Sequence, residues 1–124
     1  MNKRFLTTGA LLAALAVMAG AFGAHALKTS LSPERLQTFE TAVRYQFYHA
    51  LGLLLAGILS ASFPGKWIKW SGHLFIAGII FFSGSLYLLC GFTSMRWIGV
   101  VTPIGGLCFI IGWILLAVAF AKKD

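Results

Sequence analysis

The chain has 124 residues, of which 59% are hydrophobic and only 10% charged, whereas a soluble domain carries about one quarter charged residues. A domain this small buries only a modest share of its surface in water, so lipid is the natural place for the apolar excess. The net charge of +7 does not make a nucleic-acid footprint: the ten Lys and Arg residues stand singly or in pairs, almost all between apolar runs or at the ends of one, as snorkelling anchors and topology signals do.

Four apolar stretches follow in order, at about 5–27, 46–63, 71–92 and 98–121. Each is about 18–24 residues long, enough at 1.5 Å per residue to cross a hydrocarbon layer of about 30 Å. None holds an acid or a Lys or Arg in its interior. The predicted fold is all-α: one domain over residues 1–124, an integral membrane bundle of four transmembrane helices.

The first stretch has features of a signal peptide, with Lys3 and Arg4 ahead of it and Ala24-His25-Ala26 resembling a cleavage site. Its uncharged run from Phe5 to Ala24 is longer than the usual signal core, so it is expected to stay as a membrane helix. Between it and the second stretch, Ser32-Pro33-Glu34 is a helix-start pattern. Leu36, Phe39, Val43 and Phe47 then share one helical face, and Glu40 precedes Arg44 at ion-pair spacing. A short amphipathic interfacial helix over about 32–45 is expected here, bending into the second span.

Small residues mark where helices approach closely in lipid. Ala16, Gly20 and Ala24 form such a stripe on the first span, and Gly52, Ala56 and Ser60 on the second. Ala77, Gly84 and Gly91 recur every seven residues on the third, and Gly105, Gly112 and Ala119 on the fourth. Pro103, followed by Gly105-Gly106, should kink the fourth helix or delay its start. Gly20, Gly23, Tyr45, Gln46, Gly84, Pro103, Gly105, Gly106 and Gly112 are the expected packing positions. Trp67, Trp70 and Trp97 fall at span ends, as an aromatic belt requires. Six basic residues lie in the short amino-terminal, second-loop and carboxyl-terminal segments, against four in the first and third loops. Both termini are therefore predicted in the cytoplasm.

Few residues suggest chemistry. His25 ends the first predicted span and His49 begins the second, so this reading places them at one depth, as an interhelical pair or as ligands for a metal or haem. No third ligand completes such a site, and no cofactor or metal is expected. His73 falls on the opposite face. Cys90 and Cys108 differ by roughly 10 Å in predicted depth, too far for a disulfide. Ser83, Ser85, Tyr87 and Thr102 can hydrogen-bond between helices. Glu34, Glu40 and Asp124 are the only acids and lie outside the spans, which disfavours a proton-coupled carrier.

Four motifs occur in order: Gly20-Ala21-Phe22-Gly23-Ala24-His25-Ala26-Leu27, Arg44-Tyr45-Gln46-Phe47-Tyr48-His49-Ala50-Leu51, Phe82-Ser83-Gly84-Ser85-Leu86-Tyr87 and Thr102-Pro103-Ile104-Gly105-Gly106. In these the chain closely resembles, nearly end to end, the small inner-membrane proteins grouped as "domain of unknown function 423". The resemblance implies a multi-pass protein of the bacterial plasma (inner) membrane, with relatives among small eukaryotic transmembrane proteins. It also implies that the first motif belongs to the mature domain. It brings no activity or substrate. The expected role is non-enzymatic: a scaffold, an accessory subunit or a lipid-interacting protein, whose partners are the bilayer and a protein or a second copy of the chain. The alternatives are a small oligomeric transporter or channel and, after it, haem or metal binding through His25 and His49.

Overall fold

The computed structural model describes residues 1–91 and 96–122, the side chains of Ala24 and Arg96 excepted. The predicted span end at Phe92, the packing of Ala24, and Lys123 and Asp124 thus lie outside the described residues. The described residues form four helical rods: α1 (Lys3–Leu27), α2 (Pro33–Leu59), α3 (Lys66–Gly91) and α4 (Arg96–Lys122). No strand occurs among the described residues. Three of the rods, α1, α3 and α4, are long and apolar enough to cross a membrane.

Local chemistry sets the helix starts. Asn2 Oδ1 accepts from the Phe5 N–H at 3.1 Å and caps α1; Ser32 Oγ accepts from the Arg35 N–H at 3.2 Å and caps α2, with Pro33 in its first turn. Pro64-Gly65 turns the chain into α3, and Gly65 has φ of 131°, a conformation that only glycine adopts without strain. α4 runs unbroken through Pro103 from Arg96. The carbonyl that faces the proline ring belongs to Gly99, which has open space around it.

Two expectations change here. Residues 32–45 do not make a separate interfacial helix, because α2 is one rod of 27 residues with no break near Gln46. Thr38 and Thr41 return their hydroxyls to the helix's own carbonyls, and Arg44 donates to Thr41 Oγ1 instead of pairing with Glu40. The seven-residue stripe on α3 also loses its register. A π-helical turn at Ile79–Ser83 falls between Ala77 and Gly84, and its extra residue rotates everything beyond it. Among the described residues a Cβ at Gly91 would meet nothing within 4 Å, and one at Gly84 only a carbonyl at 3.9 Å.

α1 and α2 run antiparallel along their whole length. The Asn2 N–H donates to Gly57 O, Gly9 sits against Ala50 and Leu54, Gly20 against Val43 and Gly23 against Phe39. At the end that carries the start of α1, all four helices meet in one apolar cluster of Phe5, Leu53, Ala56, Ile68, Leu116 and Ala119. Phe5 fills the space left by Gly72, and Phe109 that left by Gly78. At the opposite end α1 leans only on α2: its π-helical turn at Ala19–Gly23 buries no residue. The bundle is closed at one end and splayed at the other.

α4 packs tightly on α3 at Gly105, where an added Cβ would collide with the Phe81–Phe82 backbone. Because that obstacle is main chain and cannot rotate away, Gly105→Ala should destabilise the protein by about 1–3 kcal/mol. Gly91→Ala, which meets nothing, should not. Thermal unfolding in detergent micelles reads both, and equal melting temperatures for the two variants would contradict this packing.

Candidate functional site

Three of the four helices are tied by one glutamine. Gln46 is buried on α2, its Nε2 donates to Leu12 O of α1 at 2.8 Å, and its Oε1 accepts from the Tyr87 hydroxyl of α3 at 2.6 Å. Ser83 Oγ donates to Ala42 O at 2.8 Å, a second bond between α3 and α2. Between α3 and α4, Ser71 Oγ donates to Gly112 O at 2.8 Å and Ser85 pairs with Thr102. Among the described residues no buried side-chain nitrogen or oxygen lacks a partner, as a water-poor environment demands.

His49 is the buried titratable centre of the bundle. Its Nε2 accepts the indole N–H of Trp113 at 3.0 Å, and its Nδ1 lies 2.7 Å from Tyr45 O. An indole N–H can only donate, so Nδ1 carries the proton and gives it to the carbonyl. The imidazole is stacked on Phe109 at 3.5 Å and 8°. Both nitrogens are thus committed to structural bonds and face no open space.

His25 does not reach it. Because α2 starts at Pro33 and not near Gln46, His25 sits beside the first turns of α2, roughly 20 Å along the axis from His49. It is exposed, as is His73, which packs edge-on against Phe5 at the closed end. The two histidines form neither a pair nor a common ligand set, and no group of three His, Cys, Asp or Glu comes together among the described residues. Cys90 and Cys108 are both free.

The other expected packing residues divide clearly. Gly105 and Gly112 are buried against Phe82 and Phe75, while Pro103 faces outward and Gly106 has ordinary contacts only. Gly20 and Gly23 sit on Val43 and Phe39. Tyr45 is exposed and its ring lies 4.6 Å from that of Phe82. Trp113 and Ser71 escaped the sequence reading. The signal for Trp113 was an indole N–H in mid-span, a donor that needs a partner when it leaves water.

The open end contains a concavity. A crevice of about 820 Å³ lies between α1, the 28–32 connection, α2 and the last turns of α3, within the range of small-molecule sites. Leu12, Leu15, Ala19, Leu27, Leu31 and Phe39 make its walls. Arg35 and Ser30 stand at its mouth, with Cys90 toward the same end, and the Gln46–Tyr87 hydrogen bond makes its polar floor. Mouth and floor are 11 positions apart on α2, about 16 Å. Among the described residues Arg35 forms no ion pair, and no sequence pattern marked it, since only the departure of α1 opens the space beside it.

This architecture defines a small helical membrane protein: long helices with apolar residues such as Leu11, Met18, Phe22, Ile58, Val100 and Ile114 turned outward and polar groups consumed inside. The chain belongs to the family described as protein of unknown function (DUF423), whose model matches residues 19–106. It is 49% identical over 120 residues to a UPF0382 membrane protein of Staphylococcus aureus (strain bovine RF122 / ET3-1), covering 97% of each chain. It is 45% identical over 121 residues to the UPF0382 membrane protein YwdK of Bacillus subtilis (strain 168), covering 97% of this chain and 98% of that one. No solved structure matches it.

The three-helix tie has a measurable signature. Gln46→Leu strands the Tyr87 hydroxyl and frees Leu12 O only of a second bond, so it should cost about 1–3 kcal/mol. Tyr87→Phe should restore part of that loss when added to Gln46→Leu, because it removes the orphaned group. Unfolding from mixed detergent micelles measures the cycle, and strict additivity would show that the two side chains do not interact.

Proposed function

We propose that the protein is a non-enzymatic, four-span protein of the bacterial plasma membrane that holds a lipid chain in the crevice between α1, α2 and α3. Among a scaffold, an accessory subunit and a lipid-interacting protein, the crevice favours the last, and it is the observation on which the reading rests. Its apolar walls suit an acyl chain, and the unpaired Arg35 beside Ser30 at its mouth suits a headgroup. The side chains beneath it are already hydrogen-bonded to one another, which suits holding a chain better than transforming it.

The fourth span in this proposal is α2. It lies antiparallel against α1 from Phe39 to Gly57, so a bilayer crossed by α1 is crossed by α2 as well. Its charged groups, Glu34, Arg35, Glu40 and Arg44, are exposed and concentrated in its first three turns. From there long side chains snorkel to the headgroups. The starts of α1 and α3 and the ends of α2 and α4 share one face, where Lys122 reaches the Trp67 ring of α3. The short basic segments favour a cytoplasmic position for that face.

Two experiments test these statements. In a variant with Cys90→Ser and Cys108→Ser, a cysteine at Thr29 should react with an impermeant thiol reagent on intact cells, and one at Ser62 should not. Equal labelling of both positions would overturn the four-span count. Purified in mild detergent, the protein should carry bound lipid detectable by native mass spectrometry, and Ala19→Trp, which fills the crevice wall, should lower the number of lipids bound per chain by one. Undiminished lipid in a folded Ala19→Trp variant would refute the crevice as its seat.

A further inference from the structure

At the closed end the charges are arranged quite differently from a scatter of anchors. Lys3, Arg4 and Lys69, with Asn2 and Ser60, line a cavity of about 590 Å³ between the start of α1, the end of α2 and the first turn of α3. Asn2, Arg4 and Lys69 also border a second, smaller cavity of about 290 Å³ that runs inward along α1 and α3 past Thr8 and His73. Arg4 and Lys69 therefore stand where a shallow polar basin meets a groove leading toward the hydrocarbon. No carboxylate lies in either wall. Glu34 and Glu40, the acids among the described residues, belong to the other end of the bundle.

The neighbouring cations are used otherwise. Lys66 and Lys122 both lie over the Trp67 ring, at 4.8 and 4.9 Å from its centroid, where their charge is met by the aromatic face. Among the described residues Lys3, Arg4 and Lys69 have no such partner and form no ion pair, yet they line one cavity. Three converging cations without a counter-charge repel one another unless an anion joins them. The helix starts of α1 and α3 add their positive ends to the same place. A basin of this kind at the membrane surface, continuous with a groove down the side of two helices, matches the two parts of a phospholipid.

We propose that this face is a binding site for an anionic phospholipid. Arg4 and Lys69 grip the phosphodiester, Lys3 faces the remainder of the headgroup, and Asn2 and Ser60 offer hydrogen bonds to its hydroxyls. The glycerol and the upper part of a chain descend beside Thr8 and His73. The guanidinium of Arg4 gives two parallel donors to one phosphate, which a lysine cannot. This site is separate from the crevice at the other end and does not depend on what that crevice holds.

The test uses the full-length protein in detergent micelles, titrated with phosphatidylglycerol or phosphatidylcholine and read by native mass spectrometry. The unaltered protein should retain phosphatidylglycerol at least tenfold over phosphatidylcholine. Arg4→Gln with Lys69→Gln should bring that preference close to parity. Lys66→Gln with Lys122→Gln removes the same formal charge and should keep it, as should Arg35→Gln. All these side chains except the Trp67-bound lysines point into open cavities, and an unchanged melting temperature confirms that the first double variant is folded. Equal loss in both double variants would mean a diffuse positive field and overturn the site. Loss in Arg35→Gln alone would assign the preference to the crevice and overturn it equally. Displacement of the lipid by inorganic phosphate at matching concentration would show that a free anion, not a phospholipid, is the ligand.

Discussion

A helix in hydrocarbon gains nothing by hiding leucine against leucine, so helices there must be held by something other than the hydrophobic effect. Gln46 supplies the central tie. By donating to the α1 backbone and accepting from Tyr87 of α3, it fixes the rotation of α2 and the height of its neighbours at once. Each such bond is worth only about 0.6 kcal/mol on average in a membrane bundle. The stronger constraint is the cost of leaving a partner without one. The serines at 71, 83 and 85 and the Trp113–His49 bond repeat the arrangement at other depths.

Close approach supplies the rest. Phenylalanines at 5, 75 and 109 fill the spaces beside Gly72, Gly112 and Gly78, so the glycines serve as sockets for rings as much as tracks for backbones. These contacts cluster toward the closed end. Where α1 passes its π-helical turn it meets only α2, and the space it vacates becomes the crevice. The same asymmetry leaves two surfaces of opposite character: an apolar crevice with a polar floor at one end, and an uncompensated basic basin at the other.

Much of this was legible in the chain. The helix start at Ser32-Pro33-Glu34 and the apolar helix surfaces follow from residue type and spacing, because they depend on near neighbours; that Ser83, Ser85, Tyr87 and Thr102 hydrogen-bond follows from residue type, whereas their partners on other helices do not. The family was legible too, in four motifs. The His25–His49 juxtaposition was not, since it rested on a break before Gln46 that α2 does not make: polarity changes there, but helical hydrogen bonding does not. The small-residue stripe of α3 misled for a related reason, as one π-helical turn shifts the register without altering the apolar pattern.

Composition and periodicity by themselves determined that this is an all-helical membrane protein, because the solvent a chain requires and the helices it forms depend on residue types and their order. Its place in lipid, the opening feature of the sequence, needed no tertiary knowledge. Only the tertiary structure decided which polar groups meet, which glycines are sockets, and where space remains. Those outcomes depend on helix rotation and relative height, which a single π-helical turn or one long-range hydrogen bond resets by several ångströms, and no local pattern encodes that sum.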